Sequence, residues 1–249
     1  MTRLGTRLLI PLTACIGGGS LVLFAYFLLF GAPFAIDIAH SHATRLAWDS
    51  LLCVIFFLQH SGMIRRGAKE RVGRWVRAPY YPALYSIASA ITLGAVILLW
   101  QPTDQFLFRL HGSARWLSVC VAGLAIAGFA WGVRALRGFD PFGTLPLKAD
   151  LRGARARPPT FVAVGPYRYV RHPLYLFMVV LIWSTPRLST DQLLFNVLWT
   201  AWIVVGTKLE ERDLVADFGE TYHQYQLSVP MLIPSWNIFT RHLRSDSAA

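Results

Sequence analysis

Four stretches of the chain, roughly residues 8–30, 46–63, 81–100 and 115–133, each run close to 20 residues with almost no charge. That length constrains the fold more than any other feature. A helix rises about 1.5 Å per residue, so about 20 apolar residues match the ~30 Å hydrocarbon core of a bilayer. In lipid every backbone N–H and C=O must pair within the protein, and a helix does this by itself. Only 15% of the 249 residues are charged, whereas 55% are hydrophobic; soluble domains carry about 25% charge. The expectation is an all-α polytopic membrane bundle of about five to six transmembrane helices.

Two further apolar stretches, 173–186 and 192–207, are shorter, and Pro186 with the polar residues 184–191 separates them. They predict a C-terminal helical hairpin that does not fully cross. Arg3 and Arg7 precede the first apolar run. That run is longer than a signal-peptide core of about 7–15 residues and has no small-residue cleavage site after it, so it predicts an uncleaved span.

Loop charge sets the orientation. Residues 64–79 carry Arg65, Arg66, Lys69, Arg71, Arg74 and Arg77 against Glu70, and residues 134–172 are similarly basic. Residues 31–45 and 101–114 are nearly neutral. The positive-inside rule then puts both basic loops in the cytoplasm, and with them both termini, which carry Arg3, Arg7, Arg241 and Arg244. An even number of spans fits this assignment. The net charge of +11 is concentrated in these loops, where it meets anionic lipid; it is not laid out as a nucleic-acid surface.

Several tempting features reduce to packing. Gly17-Gly18-Gly19-Ser20 lacks the lysine of a phosphate loop and sits in an apolar span, where it predicts close helix approach. His40 and His42 are too few for a metal site, and no metal is expected. Cys15, Cys53 and Cys120 form no Cys-x-x-Cys and are expected to be small buried hydrophobes. The stretch 138–165, with Asp140-Pro141-Phe142-Gly143 and Arg157-Pro158-Pro159, reads as an ordered loop that could serve as a lid.

Two blocks carry chemistry. One is Gly165-Pro166-Tyr167-Arg168-Tyr169-Val170-Arg171-His172-Pro173-Leu174-Tyr175. The other is Lys208-Leu209-Glu210-Glu211-Arg212-Asp213-Leu214, followed by Phe218-Gly219-Glu220 and Tyr222-His223-Gln224-Tyr225. A hairpin returns its ends to one side, so Arg171 and His172 should meet Glu210 and Glu211. Ionisable groups at membrane depth are expensive and face a partner or a ligand. Two readings stay open. An Arg171–glutamate pair could simply hold the helix ends together. Alternatively, Arg171 and His172 donate to a carboxylate or phosphate, a glutamate accepts from an amine or ribose, and Tyr167, Tyr169, Tyr175, Tyr222 and Tyr225 offer faces to an adenine or a sulfonium. Pro173 suits the first turn of a helix, whose N-terminus favours anions.

The blocks resemble those of the integral-membrane methyltransferases related to isoprenylcysteine carboxyl methyltransferase and phospholipid methyltransferase. That signature is Arg-His-Pro-x-Tyr, a helical hairpin, Glu-Glu, then Phe-Gly-x-x-Tyr-x-x-Tyr, present here at 171–175, 210–211 and 218–225. Gln59-His60-Ser61-Gly62-Met63-Ile64-Arg65, Glu211-Arg212-Asp213-Leu214 and Val229-Pro230-Met231-Leu232-Ile233-Pro234 resemble the bacterial methanethiol S-methyltransferase branch. Phe142-Gly143-Thr144-Leu145-Pro146-Leu147 departs from that pattern. The resemblance implies S-adenosylmethionine as methyl donor and a cytoplasmic cofactor pocket. It assigns Tyr167, Arg171, His172, Pro173, Tyr175, Glu210, Glu211, Tyr222 and Tyr225 to the cofactor. Gln59, His60 and Arg65 go to the acceptor, with His60, Arg171 and Glu211 catalytic. It further implies a bacterial inner-membrane location, transmembrane helices on the acceptor side over residues 1–114 and a methyltransferase core over 115–240; the small, polar residues 241–249 predict a flexible tail.

The acceptor expected from this is a small lipophilic thiol such as methanethiol, giving dimethyl sulfide. A prenylcysteine carboxylate or a lipid amine is the enzymatic alternative, and an NnrU-like membrane accessory protein the non-enzymatic one. A transporter is disfavoured by the absence of repeated halves and the scarcity of intramembrane charge beyond Asp49.

Overall fold

The computed structural model describes residues 3–34, 36–136, 138–154 and 161–234. The expected tail 241–249, Arg157-Pro158-Pro159, and the loop and terminal arginines Arg137, Arg155, Arg241 and Arg244 lie outside those residues. The helices in chain order are α1 (Arg3–Phe30), α2 (His42–Ile64), α3 (Arg66–Gly73), α4 (Tyr81–Leu98), α5 (Gly112–Ala135), α6 (Leu145–Leu151), α7 (Pro173–Trp183), α8 (Thr190–Phe218) and α9 (Glu220–Ser228). Two short strands, β1 (Phe106–Arg109) and β2 (Arg187–Ser189), pair with each other. The protein is an all-α polytopic membrane protein with almost no sheet.

Among the described residues five helices, not an even number, are long and apolar enough to cross a membrane: Arg3–Phe30, His42–Ile64, Ala78–Leu98, Gly112–Ala135 and Thr190–Phe218. The last corrects the expectation of a short hairpin. α7 has 11 residues, but α8 has 29. The apolar run 192–207 ends at Lys208, yet the helix continues through Lys208-Leu209-Glu210-Glu211-Arg212-Asp213. Lys, Leu, Glu and Arg are good helix formers, so a change of polarity there is no change of backbone.

The described residues fall into two compact units. The first comprises Met1–Leu107, Asp140–Pro158 and Ser189–Leu198. In it α1 and α2 pack on α4. Gly17 allows a close approach, because a Cβ there would lie 2.6 Å from the Phe142 ring and 3.2 Å from Ser86 Oγ of α4. At the end of α2 marked by Ser41, a buried polar layer ties the chain together. Asp49 Oδ1 accepts the Gln101 amide at 2.9 Å, and the Gln101 side chain accepts the Ile38 and Ala39 amides. Asp191 accepts from Trp100 Nε1 at 3.0 Å and from Thr103. The Phe27, Trp100 and Phe195 rings meet edge to face beside it.

At the other end of this unit, the region expected to be a loop contains α6. Leu147 is fully buried against Tyr80 and Ala83, and Arg77 pairs with Asp150 at 2.8 Å. Residues 140–151 are therefore held in place by packing, which removes the support for a lid there. Cys53 is buried as expected, but Cys15 and Cys120 are exposed on their helices. On an apolar helix a thiol costs little on a lipid-facing side, so burial was not required of them.

The second unit comprises Phe108–Phe139, Pro159–Leu188 and Trp199–Ala249. Here α7 packs antiparallel on α5. Leu174 lies over Gly132, Phe177 over Gly128, and Ser118 Oγ donates to the Ser184 carbonyl at 3.2 Å. Both glycines leave room that a Cβ would fill. α7 therefore retraces α5 from Gly132 to Ser118 despite a length of only about 16 Å.

Gly143 has φ +64°, and a Cβ there would sit on the Pro82 backbone. Gly143→Ala is expected to lower the thermal midpoint in detergent, with at least about 1–2 kcal/mol from the left-handed backbone alone. Gly19→Ala, which would meet open space, should leave the midpoint unchanged or raise it.

Candidate functional site

In the second unit, α7 begins at Pro173, where a missing N–H costs nothing, and the residues before it are fixed by the chain beyond α9. The Arg171 amide donates to the Pro230 carbonyl at 2.9 Å, and the His172 amide to Met231 at 3.1 Å. This strap directs the Arg171 and His172 side chains at α8.

Glu211 is their target. Arg171 engages it bidentately, Nε to Oε1 and Nη2 to Oε2, both at 2.7 Å. His172 Nε2 lies 2.8 Å from Oε1, which puts a ring proton on Nε2. Tyr222 donates its hydroxyl to Oε1 at 2.8 Å, and Gln226 Nε2 donates to Oε2 at 2.7 Å. A carboxylate has about four lone-pair directions, so Glu211 is saturated. Arg171 and Glu211 side chains are each only 10% exposed. The remaining Arg171 nitrogen, Nη1, donates to the carbonyls of Gln226 and Val229, which lie in the last turn of α9 and just beyond it.

Glu210, its sequence neighbour, has a different environment. Its side chain is 42% exposed. Oε2 accepts from Tyr175 Oη at 2.8 Å, and His172 Nδ1 is 3.9 Å away. The His172 and Tyr175 rings stack, with planes 12° apart and centroids at 5.6 Å. His172 thus stands between two carboxylates, one saturated and one open.

Aromatic rings complete the cluster. Tyr225 donates to the Tyr167 carbonyl at 2.5 Å. Phe161 packs on Phe218, Tyr222 and Tyr225 with centroids 5.0–5.6 Å apart. Burial pushes the phenols of Tyr167, Tyr222 and Tyr225 up; the charge of Glu210 adds to this for Tyr167, and Glu211 adds for Tyr222. These three hydroxyls keep their protons throughout the neutral range, and those of Tyr222 and Tyr225 are the donors to Glu211 and to the Tyr167 carbonyl.

The residues expected at the cofactor, Tyr167, Arg171, His172, Pro173, Tyr175, Glu210, Glu211, Tyr222 and Tyr225, thus all fall in this one unit. Gln226 and Phe161 belong with them and were not expected. Gln226 follows Tyr222 by one helical turn, the signal that could have pointed to it.

Gln59, His60 and Arg65 belong to the first unit. Arg65 caps α2, its amide donating to the Gly62 carbonyl. Gln59 and His60 face α4. Thr92 Oγ1 donates to Gln59 Oε1 at 2.7 Å, and Gln59 Nε2 reaches Met63 Sδ and Ser89 Oγ. His60 Nδ1 is 3.2 Å from Ser89 Oγ, and Tyr85 Oη is 3.1 Å from Nδ1 and 3.0 Å from Nε2. Tyr85, Ser89 and Thr92 recur at i, i+4 and i+7 in an apolar span, so their common face was legible in the sequence.

The family model described as NnrU protein matches residues 50–224. A methanethiol S-methyltransferase of Pseudomonas sp. strain GM41 is 36% identical over 196 residues, covering 76% of this chain and 73% of that protein. One from Pseudomonas deceptionensis is 35% identical, covering 82% and 79%. Methanethiol S-methyltransferase 2 of Bradyrhizobium diazoefficiens is 33% identical, covering 79% and 75%. No solved structure matches the chain.

Breaking one side of a buried ion pair strands the other charge, at about 3–5 kcal/mol, whereas replacing both partners with apolar groups can be nearly neutral. Arg171→Met and Glu211→Leu should each lower the thermal midpoint sharply. The double variant should recover much of the loss; additive losses would show that the pair is not the shared unit.

Proposed function

We propose, because this chain belongs to the NnrU family and to the family of the bacterial methanethiol S-methyltransferases, that it is an integral-membrane enzyme moving the methyl group of S-adenosylmethionine onto a small thiol. The observation that carries the donor assignment is the contrast between the two adjacent glutamates. A structural role for the cluster is complete with Arg171 and Glu211 and leaves Glu210 redundant. An open carboxylate beside stacked His172 and Tyr175 rings is what a cationic, hydroxyl-rich nucleoside would need.

The donor set fits such a ligand. Arg171, Glu210 and Glu211 sum to one negative charge, and Arg171 cancels Glu211, so the remaining charge is that of Glu210. Tyr167, Tyr175 and His172 supply ring faces and hydrogen-bonding groups around it. The bound donor would supply an electrophilic methyl on a sulfonium whose leaving sulfur departs neutral. Glu210 does better on the donor's ammonium or ribose than on its sulfonium. A carboxylate against the sulfonium would favour the ground state, whose charge vanishes on transfer, while the ammonium and ribose persist unchanged. Glu211 acts through others, holding Arg171, His172 and Tyr222 in position.

The acceptor assignment follows the names of the relatives. A thiol of pKa about 8.5 or higher must lose its proton before it attacks, so a base is required, and His60 is the candidate. We place the Arg171–Glu211 cluster at the cytoplasmic face of a bacterial inner membrane, from the basic residues that flank it.

Calorimetry on the purified protein tests the donor reading. Wild type should bind both S-adenosylmethionine and S-adenosylhomocysteine. Glu210→Gln should weaken the two alike, by about tenfold or 1.4 kcal/mol. A loss confined to the sulfonium form would displace Glu210 from its assigned role. Absence of binding by wild type, or no transfer of labelled methyl to methanethiol, would favour a non-catalytic membrane subunit instead.

A further inference from the structure

The first unit holds a polar chain inside two apolar spans that the donor site does not use. Thr92, Gln59, Ser89, His60 and Tyr85 are linked in that order across α2 and α4. Polar side chains at membrane depth are costly, and one or two interhelical hydrogen bonds would suffice for packing. Here two hydroxyls converge on one imidazole, which is more than holding the helices together requires.

The convergence has a specific geometry. Ser89 Oγ approaches only Nδ1 of His60, at 3.2 Å. Tyr85 Oη lies almost equally far from both ring nitrogens, at 3.1 and 3.0 Å. A neutral imidazole has one N–H and one lone pair. When Nδ1–H donates to Ser89, the lone pair is on Nε2, and Tyr85 is the hydroxyl that caps it. Phe56 stacks on the other side of the ring, with centroids 5.2 Å apart and planes at 29°. The remaining titratable group from α4 nearby is Tyr81, and its hydroxyl is committed to the Met63 carbonyl. The receiving nitrogen of His60 is therefore reached through Tyr85.

We propose that Tyr85 passes the proton of the acceptor thiol to His60, with Ser89 fixing the tautomer that receives it. This rests on the thiol-methyltransferase reading above and adds residues to it. The step balances within the chain. The thiol S–H bond breaks as its proton goes to Tyr85 Oη, and the proton of Tyr85 moves to His60 Nε2. The products are a thiolate, a neutral tyrosine and an imidazolium. Ser89 is a positioning residue, since it acts only through His60. The ligand class is a small neutral thiol, which enters an apolar span easily and is ionised only once there.

The test separates a proton relay from mere packing by changing the acidity of the acceptor and leaving its size nearly constant. Ethanethiol needs a proton acceptor; trifluoroethanethiol, acidified by its fluorines, needs it far less. Tyr85→Phe keeps the ring and removes only the relay. Its kcat/KM for ethanethiol is expected to fall by about a hundredfold, the lower part of the range for a positioned acid or base. The fall with trifluoroethanethiol should be severalfold at most. Unchanged calorimetric affinity for S-adenosylhomocysteine would establish that the variant is folded. If it is not, Ser89→Ala should show the same selective loss in milder form. Equal losses on both thiols, or none on ethanethiol, would overturn the relay while leaving the methyltransferase reading in place. Failure of wild type to methylate either thiol would overturn both.

Discussion

The second unit depends on one carboxylate. Glu211 draws donors from the residues before α7, from the α7 cap and from α9, and all of them converge on two oxygen atoms. A charge so little exposed survives only when its partners are complete. Each donor is in turn fixed by something else: Arg171 by the Pro230 strap and the α9 carbonyls, and Tyr222 by the Phe161 aromatic cluster. The consequence is rigidity. The start of α7, the polar part of α8 and the short α9 are held at one point, and Glu210, one residue away on α8, is presented outward.

Adjacent acids in this chain thus have different duties because their surroundings differ. The same division recurs in the first unit. Asp191 is satisfied by Trp100 and Thr103 and anchors the start of α8, while Gln101 closes the chain entering α2. Polar groups at the ends of the spans are used as joints. The His60 chain differs in linking two helices to each other, with His60 about one turn before the end of α2 and Tyr85 about one turn after the start of α4.

Much of this was legible in the sequence, for reasons that can be named. Four of the five spans follow from length and hydropathy, since a bilayer imposes both. The meeting of Arg171 with Glu211 follows from the hairpin, since its ends must return together. The length of α8 was not legible, because the apolar run ends at Lys208 while the helix does not. The burial of Leu147 and the packing of Phe142 against Gly17 were hidden by the Gly, Pro and Arg content of residues 138–165, which signals turns even where α6 forms. Most of all, the sequence offered two equivalent glutamates. Only the count of donors around each separates a saturated structural anion from an open one.

That separation bears on how a membrane setting suits the chemistry. A thiolate and a sulfonium lose their charges as they react, so a medium of low dielectric favours the transition state over the separated ions. The same medium makes a standing thiolate expensive. The two demands are compatible only if the anion is made late and locally, by groups that are themselves neutral until the proton arrives. In the relay proposed above His60, Tyr85 and Ser89 would be such groups, and none is a carboxylate. The fixed negative charges lie in α8 just beyond its apolar run, where Glu210 is 42% exposed and where, in the function proposed above, a persistent cation would answer it. Permanent charge on one set of residues and neutral, proton-accepting groups on another is the division of labour that such a reaction would require.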